Sequence, residues 1–229
     1  VEDSTKIPYP TIIPQVYVIR VDHQLEGKTV PRAAFVLAPL HATSVGVDNP
    51  LYHGDLFGVA SRYIAAKVKK KYNLERNFIA AVAPGPQGDV SPNWKKQGYD
   101  EAKRIGRMVA DKAFEAFEKL DNQLKPVEIS SRYTEIELSE AQTSEGKLCK
   151  EPMIGAPILG GAEDGRSPHY GKFGAYEGNT REPTCCHGVK VPLAGDFQEL
   201  ILTHGFPRIA ALQVVQFKDL ITLAVYPGE

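Results

Sequence analysis

The chain has 229 residues, of which 42% are hydrophobic and 24% charged, and its formal net charge is -1. This is the composition of a globular protein long enough to bury a substantial core. The charge balance supplies no electrostatic footprint for nucleic acid or for an anionic membrane surface, and no apolar run approaches the ~20 residues that span a bilayer. Three cysteines, Cys149, Cys185 and Cys186, allow one disulfide to Cys149 and exclude a disulfide framework, which leaves the redox compartment open. The opening Val1-Glu2-Asp3 lacks the basic and apolar regions of a signal peptide, and with no initiator Met a mature, processed or excised chain is expected.

In chain order, the alternation of "QVYVIRV" (Gln15 to Val21) and the run "AAFVLAPL" (Ala33 to Leu40), separated by "EGK", predict a pair of strands, the second delivering His41 at its end. From Asp55 to Tyr72, apolar residues recur at helical spacing (Leu56, Val59, Ala60, Tyr63, Ile64, Val68), and the basic run "KVKKKY" reads as the solvated last turn. A buried strand, "FIAAVA" (Phe78 to Ala83), runs into the loop "GPQGDVSPN" (Gly85 to Asn93). A second helix is predicted over Asp100 to Leu120, with Ala102, Ile105, Val109, Ala113, Phe117 and Leu120 on one face and Asp100 as N-cap. Val127 to Leu138 is strand-like, and Ile209 to Phe217 and Leu220 to Pro227 read as two strands joined through Lys218-Asp219. The Gly/Pro-rich stretch from Cys149 to His187 has little periodicity and is expected to be a long irregular segment. These elements point to a single α+β domain with a mixed or antiparallel β-sheet core flanked by helices.

Few residues stand out chemically. His41 follows an apolar strand, where a lone His is more often structural than a ligand. Ser91 lies in a glycine-containing loop after a strand, yet the loop is not the G-x-S-x-G elbow of an α/β-hydrolase. Glu229 follows a Pro-Gly turn and is a potential ligand or an exposed chain end. "CCH" (Cys185 to His187) lacks the two-to-four-residue cysteine spacing of zinc sites, so packed thiols beside a surface His are the favoured reading over a structural metal site.

In combination these residues carry more. "HATS" (from His41), "HGDLFG" (His53 to Gly58), "GDVSPN" after a strand, "GAEDG" (Gly161 to Gly165) and the terminal "PGE" occur in the order seen in the neutral/alkaline non-lysosomal ceramidase family, which this chain resembles from Val18 to Glu229. "HGDLFG" is similar to the family's S-x-D-x-x-G, with His53 standing where that pattern has Ser. The resemblance implies a zinc-dependent amidohydrolase that cleaves the N-acyl bond of ceramide to sphingosine and a fatty acid. It implies His41 and Glu229 as metal ligands for Zn2+ and Ser91 as the essential serine, read either as nucleophile or as a group orienting substrate. Zinc polarises an amide carbonyl and lowers the pKa of bound water to ~7, and the loop amides of Gly88 and Asp89 would then hold the substrate hydroxyl or the oxyanion.

Within that resemblance the sequence contains neither the family's H-T-H-S-G-P-type segment nor a tyrosine ligand after the glutamate. Residues 1–229 are therefore expected to be part of a ceramidase-like catalytic domain, weak in zinc binding and in turnover when isolated. The alternatives are an amidase acting on another N-acyl lipid or small amide, and a non-catalytic member that has lost metal. The expected partner is a ceramide-like lipid rather than nucleic acid. The family resemblance implies export to the periplasm or the exterior, and the stretch from Cys149 to His187 is expected to cover the substrate mouth.

Overall fold

The computed structural model describes residues 15–88, 90–121, 123–144, 146–149, 153–161, 166–184, 187–193 and 208–227. It is an α+β fold, as the pattern of elements predicts. The contacts group into two compact units, one within residues 1–125 and the other within 126–228. The reason lies in strand pairing: the last two strands pair with the strand-like segment after residue 126 and not with the strands before it.

The first unit begins with a hairpin, β1 (Tyr17–Leu25) and β2 (Lys28–Ala38). Its two-residue turn places Glu26 and Gly27 at φ 49° and 78°, the left-handed pair that matches the twist of the flanking strands. Helix α1 (Asp55–Lys71) then carries the chain to β3 (Ile79–Pro84), which pairs parallel to β2 from Ala33↔Ile79 to Ala38↔Pro84. The result is a mixed sheet in the order β1-β2-β3. Helix α2 (Tyr99–Lys119) packs beside α1.

The core of this unit joins the inward residues of β2 (Ala34, Val36, Ala38) to the apolar stripes of the helices, Ala60, Ile64 and Val68 on α1 and Val109, Ala110, Ala113 and Phe117 on α2. Fully burying a side chain such as Phe117 contributes about 1.5–3 kcal/mol. The helices come close because Gly106 has no side chain: a Cβ there would lie 2.6 Å from the Leu56 carbonyl oxygen and 2.7 Å from Val59 Cβ.

Two boundaries differ from the sequence reading. The second strand ends at Ala38, so His41 stands three residues beyond it, past Pro39, which has no N–H to continue the ladder. Helix α2 starts at Tyr99, not at an Asp100 cap. Its N-cap is Gly98, whose φ of 141° suits only glycine, and Asp100 falls in the first turn.

The second unit holds the antiparallel sheet β10-β9-β4, from β4 (Ile129–Glu137), β9 (Ile209–Phe217) and β10 (Ile221–Val225), in register through Ile129↔Phe217 and Ile221↔Phe217. Small ladders β5 (Gln142–Thr143) with β6 (Gly146–Lys147) and β7 (Thr180–Thr184) with β8 (Gly188–Lys190) belong to it as well. The predicted irregular stretch is mostly that where described, apart from a 3-10 turn at Ala156–Leu159 and β7.

Candidate functional site

Parallel strands β2 and β3 end side by side, so the loops that leave them, residues 39–54 and 85–98, emerge at one edge of the sheet. In open α/β arrangements, the carboxyl ends of parallel strands are where ligands bind. Among the described residues, five hydrogen bonds tie Ala38 and the loop after it to residues 85–98. Gly85 N–H donates to the Ala38 carbonyl (2.9 Å) and Gly98 N–H to the Ser44 carbonyl (2.7 Å). The Gln97 side-chain amide donates to the Thr43 carbonyl (3.1 Å). The remaining two involve His41.

His41 donates its main-chain N–H to the Val90 carbonyl at 3.0 Å, and its ring Nδ1 lies 3.1 Å from the same oxygen. A carbonyl only accepts, so Nδ1 carries a proton and acts as the donor. Val90 immediately precedes Ser91. Two residues fifty positions apart, each singled out by sequence, thus converge on one peptide group. Ser91 is exposed, while Pro92 behind it is buried. Asn93 caps the 3-10 turn Trp94–Lys96, its Oδ1 accepting from Lys95 N–H at 2.9 Å. Gly88 lies in an exposed turn; Asp89 and Glu229 lie outside the described residues.

The other end of the His41 loop is held by Asp55, whose side chain is 4% exposed. Its Oδ1 accepts from Ser44 N–H (3.3 Å) and Leu56 N–H (2.6 Å), and its Oδ2 from Val45 N–H (2.9 Å). Asp55 adopts φ 46°, a left-handed conformation that Asp tolerates through such local bonds. Its own N–H donates to His53 Nδ1 at 3.2 Å, which puts the proton of neutral His53 on Nε2. His53 packs edge-on against Tyr99, with ring centroids 6.2 Å apart, and Tyr99 Oη donates to Asn49 Oδ1 at 2.8 Å.

Asp55 and His53 are the residues that reasoning on single motifs passes over. The available signal was the acid in "HGDLFG", directly ahead of a helical pattern. Several buried side-chain atoms in these loops make no hydrogen bond: Thr43 Oγ1, Ser44 Oγ, Gln87 Oε1 and Trp94 Nε1. Buried polar groups are normally partnered, so the loops retain unused hydrogen-bonding capacity where the strands end.

Zinc finds partial chemical support. An imidazole that donates Nδ1–H to a main-chain carbonyl, as His41 does, is a ring prepared to ligate through Nε2. Among the described residues, however, no group of three or more His, Cys, Asp or Glu side chains is placed to hold a metal ion, so they do not by themselves fit a zinc site. Elsewhere, Cys149 is disulfide-bonded, and Cys185 and Cys186 lie outside the described residues. His187 is held below the usual imidazole range, first by burial and then by the charges of Lys190 and Arg181.

Among the described residues no helix is long and apolar enough to cross a membrane. Compared with known proteins, the chain matches no family model and no curated sequence. It is similar in structure to the neutral ceramidase from Pseudomonas aeruginosa, with a TM-score of 0.58 and 20% identity over 90% of this chain. It is also similar to a ceramidase complexed with C2, with a TM-score of 0.50 and 20% identity over 82% of this chain. The alignments cover 33% and 32% of those two chains, so this chain spans about a third of their length. The likeness is one of fold: the chain shares part of the architecture of neutral ceramidases.

Proposed function

We propose that this chain contributes the serine loop and one histidine to the catalytic centre of a ceramidase-like hydrolase, which adds water across the N-acyl bond of a ceramide-like lipid. The observation that carries the reading is the Val90 carbonyl, which binds both N–H groups of His41 beside Ser91. In this reading the Ser91 hydroxyl attacks or orients the amide carbonyl, and the amides of Gly88 and Asp89 hold the oxyanion or the substrate hydroxyl. The carboxylic acid and the amine leave as separate products.

The reading also assigns zinc to His41 and Glu229. Its support is the donor chemistry of His41 alone rather than a gathered ligand set. A secreted or periplasmic location belongs to the same proposal.

The test is release of fatty acid from a fluorescent N-acyl sphingosine by the natural protein that carries these residues, before and after chelation. Hydrolysis abolished by Ser91→Ala and lowered by chelator supports the reading. If purified, folded protein releases no fatty acid from this substrate under any metal condition, the ceramidase assignment fails.

A further inference from the structure

Asp55 is tied both to the loop that carries His41 and to the ring of His53. The Asp55 side chain holds the loop that carries His41, through the N–H groups of Ser44 and Val45. Its main-chain N–H donates to His53 Nδ1. At the far end of the same loop the Val90 carbonyl takes Nδ1–H of His41. The two rings are therefore held with Nδ1 in opposite roles, a donor in His41 and an acceptor in His53.

We propose that Asp55 is the positioning residue of this site, holding His41 with Nδ1 as donor and His53 with Nδ1 as acceptor at the carboxyl edge of β2 and β3. The geometry is costly to maintain without a purpose at the loop. A buried carboxylate is tolerated only when its oxygens are satisfied. Here three main-chain N–H groups satisfy it, two of them outside the helix it begins. A residue needed merely to start α1 would take its bond from Leu56 and its neighbours in the first turn. Asp55 instead spends one whole oxygen, Oδ2, on Val45.

The inference deepens the hydrolase reading and rests on it only for its kinetic arm. The structural arm is ring-nitrogen NMR on the full chain labelled at histidine, at a pH where imidazoles are neutral, with His41→Gln and His53→Gln used for assignment. Wild-type protein is expected to show His41 protonated at Nδ1 and His53 at Nε2. Asp55→Asn can keep an oxygen towards Ser44 and Leu56, but it then turns an amide N–H against Val45 N–H. It is therefore expected to mix the His41 tautomers while sparing His53, which is held by the main chain of residue 55. Asp55→Ala is expected to disturb both.

In the kinetic arm, Asp55→Asn lowers kcat by about 10- to 100-fold with KM little changed, as a small displacement of a catalytic group does. Folded Asp55→Asn protein with an unchanged His41 signal overturns the proposal, as does a wild-type pattern with either tautomer reversed. Absence of hydrolysis in the wild type defeats the hydrolase reading, and the ring signals still decide the positioning.

Discussion

The Val90 carbonyl accepts two hydrogen bonds from His41, one from its main chain at 3.0 Å and one from its ring at 3.1 Å. The peptide group next to Ser91 thus holds the imidazole directly, with Nδ1 as its donor. Replacing His41 by Gln or Ala removes the ring bond and keeps the main-chain one. Stability is then expected to fall by only about 1 kcal/mol, read from the midpoint of urea unfolding, while hydrolysis falls by at least about 100-fold if the ring acts on substrate or metal. Equal fractional losses in folded protein and in activity would make His41 a structural residue.

Ser91 offers the complementary case. Its side chain is exposed, and the turn around it is anchored by buried Pro92 and by the Asn93 cap. Ser91→Ala is expected to cost no more than about 1 kcal/mol of stability, the worth of one hydrogen bond, as read from urea unfolding. N-acyl hydrolysis should nevertheless disappear. Retained turnover in a folded Ser91→Ala protein would remove the serine from the chemistry.

Gly106 tests whether the packing of α1 on α2 positions the site, because Leu56 directly follows Asp55. A methyl at Gly106 would meet the Leu56 carbonyl oxygen at 2.6 Å, and main chain cannot yield as a flexible side chain would. Gly106→Ala is therefore expected to cost about 1–3 kcal/mol by overpacking, more than the ~1 kcal/mol that a Gly-to-Ala change gains in an exposed helix. Thermal unfolding measures it, and a stabilised variant would mean the helices separate easily.

Much of this was legible in the sequence because it depends on periodicity. The stripe Val109, Ala113, Phe117 needs only a 3.6-residue repeat to be seen, and β9 and β10 announce themselves by composition. What was not legible depends on partners far along the chain. The end of β2 at Ala38 is set by Pro39, and the start of α2 by a backbone angle at Gly98 that Asp100, the better cap by type, cannot supply. Likewise "HATS" and "GDVSPN" are visible as strings, but only folding shows that His41 binds the peptide before Ser91. Asp55 reads as a helix-start acid until its second oxygen is found on Val45.

Arg20 gives a prediction in pH. Its guanidinium lies over the Phe117 ring, 4.2 Å from the centroid, with ion pairs to Asp22 at 2.8 Å and to Asp121 at 2.5 Å. For Asp121, partial burial pushes the carboxyl up, but hydrogen bonds from Arg20 and from Tyr72 outweigh it and hold the group below the usual carboxylate range. Above the unfolded value of about 3.9 the carboxylate is ionised in both states, and its contribution to stability is complete. As pH falls further, the unfolded chain takes up the proton first, so the contribution shrinks until the folded carboxyl is protonated as well. Asp121→Asn cannot titrate. The stability difference between wild type and Asp121→Asn is thus expected to be largest near neutrality and to narrow below about pH 4. It should also narrow with added salt, since the Asp121 side chain is 41% exposed. Urea midpoints between neutral and acid pH measure it, and a difference that stays constant across that range would show that Asp121 does not exchange its proton with the fold.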